Sequence, residues 1–142
     1  MQRENEVQHV FLVGAKSLGA YGGYETFVYK LTEYHQNKKN IKYHVACKAN
    51  GDGCMDETKV EGVTRINDHE FEFHNAHCFK IDIPQIGAAQ AIYYDVAALN
   101  ACCKYIKEQK SKIRLFTLWP AGLDPLLLIS IKKFINWAVL CT

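Results

Sequence analysis

Four glycines fall within ten residues, at Gly14, Gly19, Gly22 and Gly23, directly after the apolar run His9–Val13. Glycine has no Cβ and tolerates positive φ, so a chain this rich in it can turn sharply and lie against a ligand. From Tyr24 the pattern becomes helical, and the glycine pair stands where that helix begins. The first N–H groups of a helix and the positive end of its dipole bind phosphate. The spacing is not G-x-G-x-x-G, because the first two glycines are five apart, and no Gly-Lys-Ser/Thr closes a P-loop. A plain tight turn and a phosphate or sugar-phosphate cradle fit that spacing equally well.

Other reactive side chains are weighed beside this loop. Glu25 stands in the first turn of the helix, where its charge complements the dipole; facing the cleft, it would contact an acceptor hydroxyl. Asp95 lies in a long helical pattern, where a carboxylate is an ordinary surface charge or a second cleft-facing group. His69, His74 and His77 crowd near Cys78 with Glu70 and Glu72 between them. Zinc needs ligands converging at about 2.0–2.3 Å, whereas His69 and His74 point to opposite faces of a hairpin. They read as surface and turn histidines, and no metal is expected. Cys102 and Cys103 are adjacent on a helix and cannot be joined without distortion; Cys103 is expected to pack in the core.

The elements that position these groups follow the apolar period. His9–Val13 suits a strand covered on both faces. In the first helix Phe27, Leu31 and Tyr34 share one face, with Val28 beside them. Ile41–Cys47 reads as a second strand, Lys48–Gly62 as a mobile loop and Val63–Ile66 as a short strand. Phe71–Phe73 and His77–Ile83 flank His74-Asn75-Ala76, which predicts a hairpin turning at Asn75, with Pro84 ending its second strand. From Ala88 to Lys110, Ile92, Val96, Leu99, Cys103 and Ile106 recur at helical spacing. The alternation predicts a three-layer, Rossmann-like α/β domain with a mainly parallel sheet.

Composition narrows the class. With 142 residues, 49% hydrophobic and 23% charged, the chain can build one domain with a real core. A net charge of +2 and one short basic run, Lys38, Lys39 and Lys42, exclude a nucleic-acid footprint. Six cysteines without C-x-x-C spacing suggest reduced, cytoplasmic thiols. The polar start, residues 1–8, lacks the apolar core of a secretion signal, and Lys132 and Lys133 divide the apolar tail, so no transmembrane segment is expected.

Gly14, Lys16, Ala20, Tyr21, Gly22, Gly23, Glu25 and Thr26, with Tyr24 in place of a Phe, resemble the opening motif of bacterial rhamnosyltransferase-type glycosyltransferases. Those enzymes build capsular and exopolysaccharides. The likeness continues through Ile41–Cys47, Phe71–Phe73, Cys78–Ile81, Pro84–Gly87 and Ala91–Ala98, and spans roughly residues 9–110. The loop here is one residue shorter than the family pattern, lacks the cation before Tyr21, and has Gly19 where the family has Pro. The resemblance implies the N-terminal half of a GT-B enzyme, two Rossmann-like domains with the active site between them. It implies Gly14, Lys16, Tyr21, Gly22 and Gly23 as a ligand-facing loop, and Glu25, Thr26 and Asp95 as acceptor contacts. It further implies a nucleotide-sugar donor such as dTDP-rhamnose, no other cofactor, and a lipid-linked saccharide acceptor reached by peripheral contact at the inner membrane face. With the donor-binding domain lying beyond such a fragment, the chain alone is expected to be inactive. The competing readings are a stand-alone Rossmann-like module for a nucleotide or sugar phosphate, and a pseudogene product without function.

After Lys112 the likeness stops. Trp119-Pro120 is encoded TGG-CCN, which read one nucleotide earlier gives Leu/Met/Val-Ala. Ala121–Pro125 and Asn136–Val139 in the same shift recover further family-like residues. The expectation is therefore a frameshift near residues 110–115. The Rossmann-like domain then runs over 9–118, Leu115–Leu118 can still form a strand, and 119–142 is a poorly packed tail.

Overall fold

A computed structural model describes residues 7–18 and 22–109. Its five strands form one mixed sheet in the order β1-β2-β5-β4-β3. Strands β1 (Gln8–Leu12), β2 (Ile41–Lys48) and β5 (Ala76–Ile81) run parallel. Strands β4 (Glu70–Phe73) and β3 (Thr64–Arg65) continue the sheet antiparallel. Helix α1 (Gly23–His35) joins β1 to β2, and helix α2 (Gln90–Gln109) follows β5 through a single 3-10 turn at Gly87–Ala89. The α/β, Rossmann-like class is thus as expected. Among the described residues no helix is long and apolar enough to cross a membrane. Residues 1–6, Tyr21, the Leu115–Leu118 strand and the 119–142 tail lie outside the described residues.

Alternating side chains feed two cores. Val10 and Leu12 of β1, Tyr43, Val45 and Cys47 of β2, Cys78 of β5 and Phe71 and Phe73 of β4 pack on one side with Val28 of α1. Phe11, Val13 and Ala46 pack on the other with Ala98, Leu99, Cys102 and Ile106 of α2. Covered from both sides, β2 is buried continuously from Tyr43 to Cys47.

The helix faces depart from the periodic reading. In α1 the buried residues are Glu25, Val28 and Thr32, while Phe27 is 44% and Tyr34 77% exposed. The most apolar stripe is not the one that faces the sheet, because Glu25 and Thr32 have specific polar partners there. In α2, Ile92 and Val96 are exposed, and Tyr94, Ala98 and Cys102 face inward beside Leu99, Cys103 and Ile106. Cys102 therefore packs in the core as deeply as its neighbour. Strand β5 ends at Ile81, before Pro84, and Asn50 completes the pairing beyond it: its side chain donates to the Ile83 carbonyl at 2.9 Å and accepts from the Ile83 N–H at 2.8 Å.

The hairpin turn uses both His74 (φ 52°) and Asn75 (φ 58°), since Phe73 pairs with Ala76 and leaves two central residues. A two-residue hairpin turn of this hand needs positive φ at both. Asn tolerates that region, and His74 is held in it by Thr32 Oγ1 at 3.2 Å and by stacking on Phe73. The Lys48–Gly62 loop is anchored by a 3-10 turn at Glu57–Lys59, where Lys80 Nζ meets Glu57 Oε1 at 2.6 Å with both side chains nearly buried.

Candidate functional site

The glycine-rich segment leaves β1 at the carboxyl edge of the parallel strands, the edge where open α/β sheets bind ligands. Gly14 turns the chain at φ 101°, a left-handed conformation that a side chain would strain. The segment then doubles back onto the sheet. The Lys48 N–H donates to the Lys16 carbonyl at 2.8 Å, and Ala15, Ser17 and Leu18 are buried. The Tyr24 hydroxyl donates to the Val13 carbonyl at 3.0 Å. From the other layer, the Tyr94 hydroxyl reaches the Ala15 and Ala46 carbonyls at 2.5 and 2.9 Å, fastening α2 to the ends of β1 and β2.

Glu25 decides the character of this loop. It is only 8% exposed, and its Oε1 accepts from the Lys16 backbone N–H at 3.1 Å. The carboxylate also lies over Gly22, so that a Cβ added there would collide with Oε2 and sit 3.1 Å from Cδ. Gly22 is extended (φ 165°), and its requirement for glycine is steric. Its carbonyl accepts the first helical bond, from the Thr26 N–H at 2.9 Å. Glu25 occupies the Lys16 N–H and sets a buried carboxylate beside the start of α1, whose charge opposes a second anion there. The cradle suits hydroxyl groups better than an anion.

Gly23 differs from its neighbour. A Cβ there would meet no atom of the described residues within 4 Å. Lys16 is drawn away from the loop: its Nζ pairs with Asp52 at 3.3 Å, and its stem lies across Gly53, whose added Cβ would be 2.6 Å from Lys16 Cδ. Thr26 is exposed on the first turn of α1. Tyr21 lies outside the described residues.

Asp95 is half-buried beside Tyr94. Burial raises its carboxyl to about 6, against the opposing pull of Lys48, whose Nζ stands 5.9 Å from the Tyr94 ring centre. Burial also raises the Tyr24 hydroxyl, with the charges of Glu25 and Asp95 adding to the effect, so both carboxylates act on one tyrosine. The structure thus gathers Gly14, Lys16, Gly22, Gly23, Glu25 and Asp95 around one edge of the sheet. It assigns Glu25 to holding the loop, and leaves Asp95 with no hydrogen-bond partner among the described residues. Sequence reasoning passed over Tyr24 and Tyr94; their signal was a tyrosine at each helix start, where a hydroxyl can reach loop carbonyls.

No curated protein matches the chain. A family model matches residues 7–136 and so takes in the whole described domain. The match also runs into the stretch after residue 118, for which a shifted frame is expected. Covering most of the chain, it shows that this protein belongs to the family described as a domain of unknown function, DUF1972.

Proposed function

We propose that this domain is the acceptor-side half of a nucleotide-sugar-dependent glycosyltransferase, of the rhamnosyltransferase type. The observation that carries the reading is the pair of carboxylates at the glycine-rich edge. Glu25 is buried and accepts from the Lys16 N–H, and Asp95 is half-buried with no hydrogen-bond partner among the described residues. Carboxylates that accept hydrogen bonds from hydroxyls suit a saccharide better than a nucleotide. A carboxyl poised near 6 is matched to accepting a proton from an attacking hydroxyl at neutral pH. The motif resemblance supports the same assignment. In that scheme a second domain holds the donor, such as dTDP-rhamnose, and the acceptor is a lipid-linked saccharide at the inner membrane face. Transfer requires both sides of the cleft, because positioning two reactants accounts for much of the rate.

The test is ligand titration of the chain followed by amide NMR. Short rhamnose- and hexose-terminated oligosaccharides are expected to shift Gly14, Gly23 and Asp95, and dTDP is expected to leave them in place. Tight dTDP binding at Gly22 and Gly23, with no response to saccharides, would replace this reading by a nucleotide-binding module.

A further inference from the structure

Beneath α2, on the sheet face opposite α1, four polar side chains form a line across four strands. His9 Nδ1 of β1 is 2.8 Å from His44 Nε2 of β2. His44 Nδ1 is 2.9 Å from His77 Nδ1 of β5, and His77 Nε2 is 2.8 Å from Glu70 Oε1 of β4. Parallel register places His44 directly opposite His77. His44 is 1% exposed, sandwiched between Phe11, stacked at 4.6 Å, and Tyr105 of α2, also at 4.6 Å. Tyr105 stacks on His77 as well, at 5.4 Å. The ring nitrogens pair off along a line and do not converge on a point, and among the described residues no group of side chains is arranged to hold a metal.

Hydrogen-bond chemistry fixes every tautomer in this line. The hydrogen bonds of Asn67 and His77 hold the Glu70 carboxyl below its usual range, so it accepts, and His77 must carry its proton on Nε2. His77 Nδ1 is then bare and accepts from His44 Nδ1–H. His44 Nε2 is bare in turn and accepts from His9 Nδ1–H. We propose that His9, His44, His77 and Glu70 are a one-proton relay, which takes up a single proton intact and unseats α2 when forced to take a second. The first proton binds the outer His9 Nε2. His9 passes its Nδ1 proton to His44 Nε2, and His44 passes its Nδ1 proton to His77 Nδ1. The charge ends as a His77 imidazolium against the Glu70 carboxylate, with each hydrogen bond kept and the two inner ones reversed. A second proton has no such place. It would set N–H against N–H at His44, beneath Tyr105.

The surroundings favour this limit. Burial is the main influence that lowers His9 and His44; Lys42 of β2, itself paired with Glu72 of β4 at 3.5 Å, opposes charge on both as well. His69 adds a weak influence at Glu70. Tyr105 presents the aromatic ring of α2 to the line. Because α2 also carries Tyr94 and Asp95, unseating it would dismantle the carboxyl-edge site, whatever ligand that site takes.

The full chain, labelled with nitrogen-15 at histidine, tests the relay by long-range nitrogen–proton NMR. At pH 7.5 His9 and His44 are expected as Nδ1–H tautomers and His77 as Nε2–H. On acidification from pH 7.5 the three should take up one proton together, with His9 and His44 switching to Nε2–H. Glu70→Gln removes the counter-charge at the β4 end of the line, where the side chain is half-buried, and should lower the midpoint of that uptake by about one pH unit. Three independent titrations, His44 found as Nε2–H at pH 7.5, or an unchanged midpoint in Glu70→Gln would each overturn the proposal.

Discussion

Gly22→Ala is the sharpest test of how the glycine-rich loop is held. The added methyl would occupy space now filled by the end of the Glu25 side chain, so the carboxylate must swing away. The backbone need not move, because the obstructing atoms end a flexible side chain. The cost is the bond that Glu25 makes with the Lys16 N–H at 3.1 Å, within a loop whose neighbouring residues are buried. A hydrogen bond to a charged group contributes about 1.5–3 kcal/mol, and the abandoned N–H adds to the loss where water cannot reach it. Gly22→Ala should therefore destabilise by about 2 kcal/mol, which lowers Tm by roughly 6–8 °C for a chain of this size. Urea denaturation of four proteins closes the cycle: wild type, Gly22→Ala, Glu25→Ala and the double variant. In the Glu25→Ala background the glycine substitution should cost only a few tenths of a kcal/mol. An equal cost in both backgrounds would refute the clamp, and would mean that Gly22 is needed for another reason. Gly23 supplies the control. With no atom of the described residues within 4 Å of its missing Cβ, Gly23→Ala should be neutral or slightly stabilising, while Gly23→Val should abolish transfer in an enzyme containing both domains and leave the fold intact.

Three further outcomes are expected. Asp95 has a folded carboxyl raised from 3.8 to about 6, so ionisation costs stability as pH rises through that window; with solvent screening of this half-buried group, Asp95→Asn should stabilise by about 1–2 kcal/mol at pH 7 and by little below pH 4, and a gain independent of pH would refute the assignment. His44 is neutral in the fold, lowered from 6.5 to about 3 mainly by burial, so its contribution is complete above pH 6.5 and is lost on acidification at about 1.4 kcal/mol per unit; a flat urea-stability profile from pH 7 to 5 in the Asp95→Asn background, where the opposing carboxyl slope is removed, would contradict it. Deleting residues 120–142 should leave Tm unchanged or improve solubility if the frame is shifted near 110–115, and a clear fall in Tm would make that stretch part of the fold, in line with a family match that runs to residue 136.

The order of strands and helices was legible because burial on two faces leaves long apolar runs, and the hairpin was legible from its turn residues. The helix faces were not. An apolar stripe predicts the buried side only when no polar residue has a better partner there, and in α1 both Glu25 and Thr32 do: one closes the loop at Lys16, the other braces His74 at the far end of the hairpin. Tyr94 likewise displaces Ile92 and Val96 from the inner face of α2, since its hydroxyl reaches the carbonyls of Ala15 in the loop and Ala46 in β2 as its ring is buried. Two of the residues that depart from the periodic reading, Glu25 and Tyr94, are the ones that shape the candidate site.

The histidines show a different limit. Sequence proximity drew His69, His74 and His77 together, yet the fold sends them apart, to Asp82, to Thr32 and to His44. The group that does assemble draws on positions 9, 44, 70 and 77, which nothing in their spacing connects. They meet because β2 pairs with both β1 and β5, because β5 also pairs with β4, and because each of the four side chains alternates to the face beneath α2. A one-residue slip of β2 would turn His44 into the α1 core and break the line at its centre. Register is therefore as much a part of this site as residue type, and the tautomers of His9, His44 and His77 report on both at once. A folded chain showing that pattern has its register confirmed by chemistry, and one lacking it has β2 paired differently or α2 seated elsewhere.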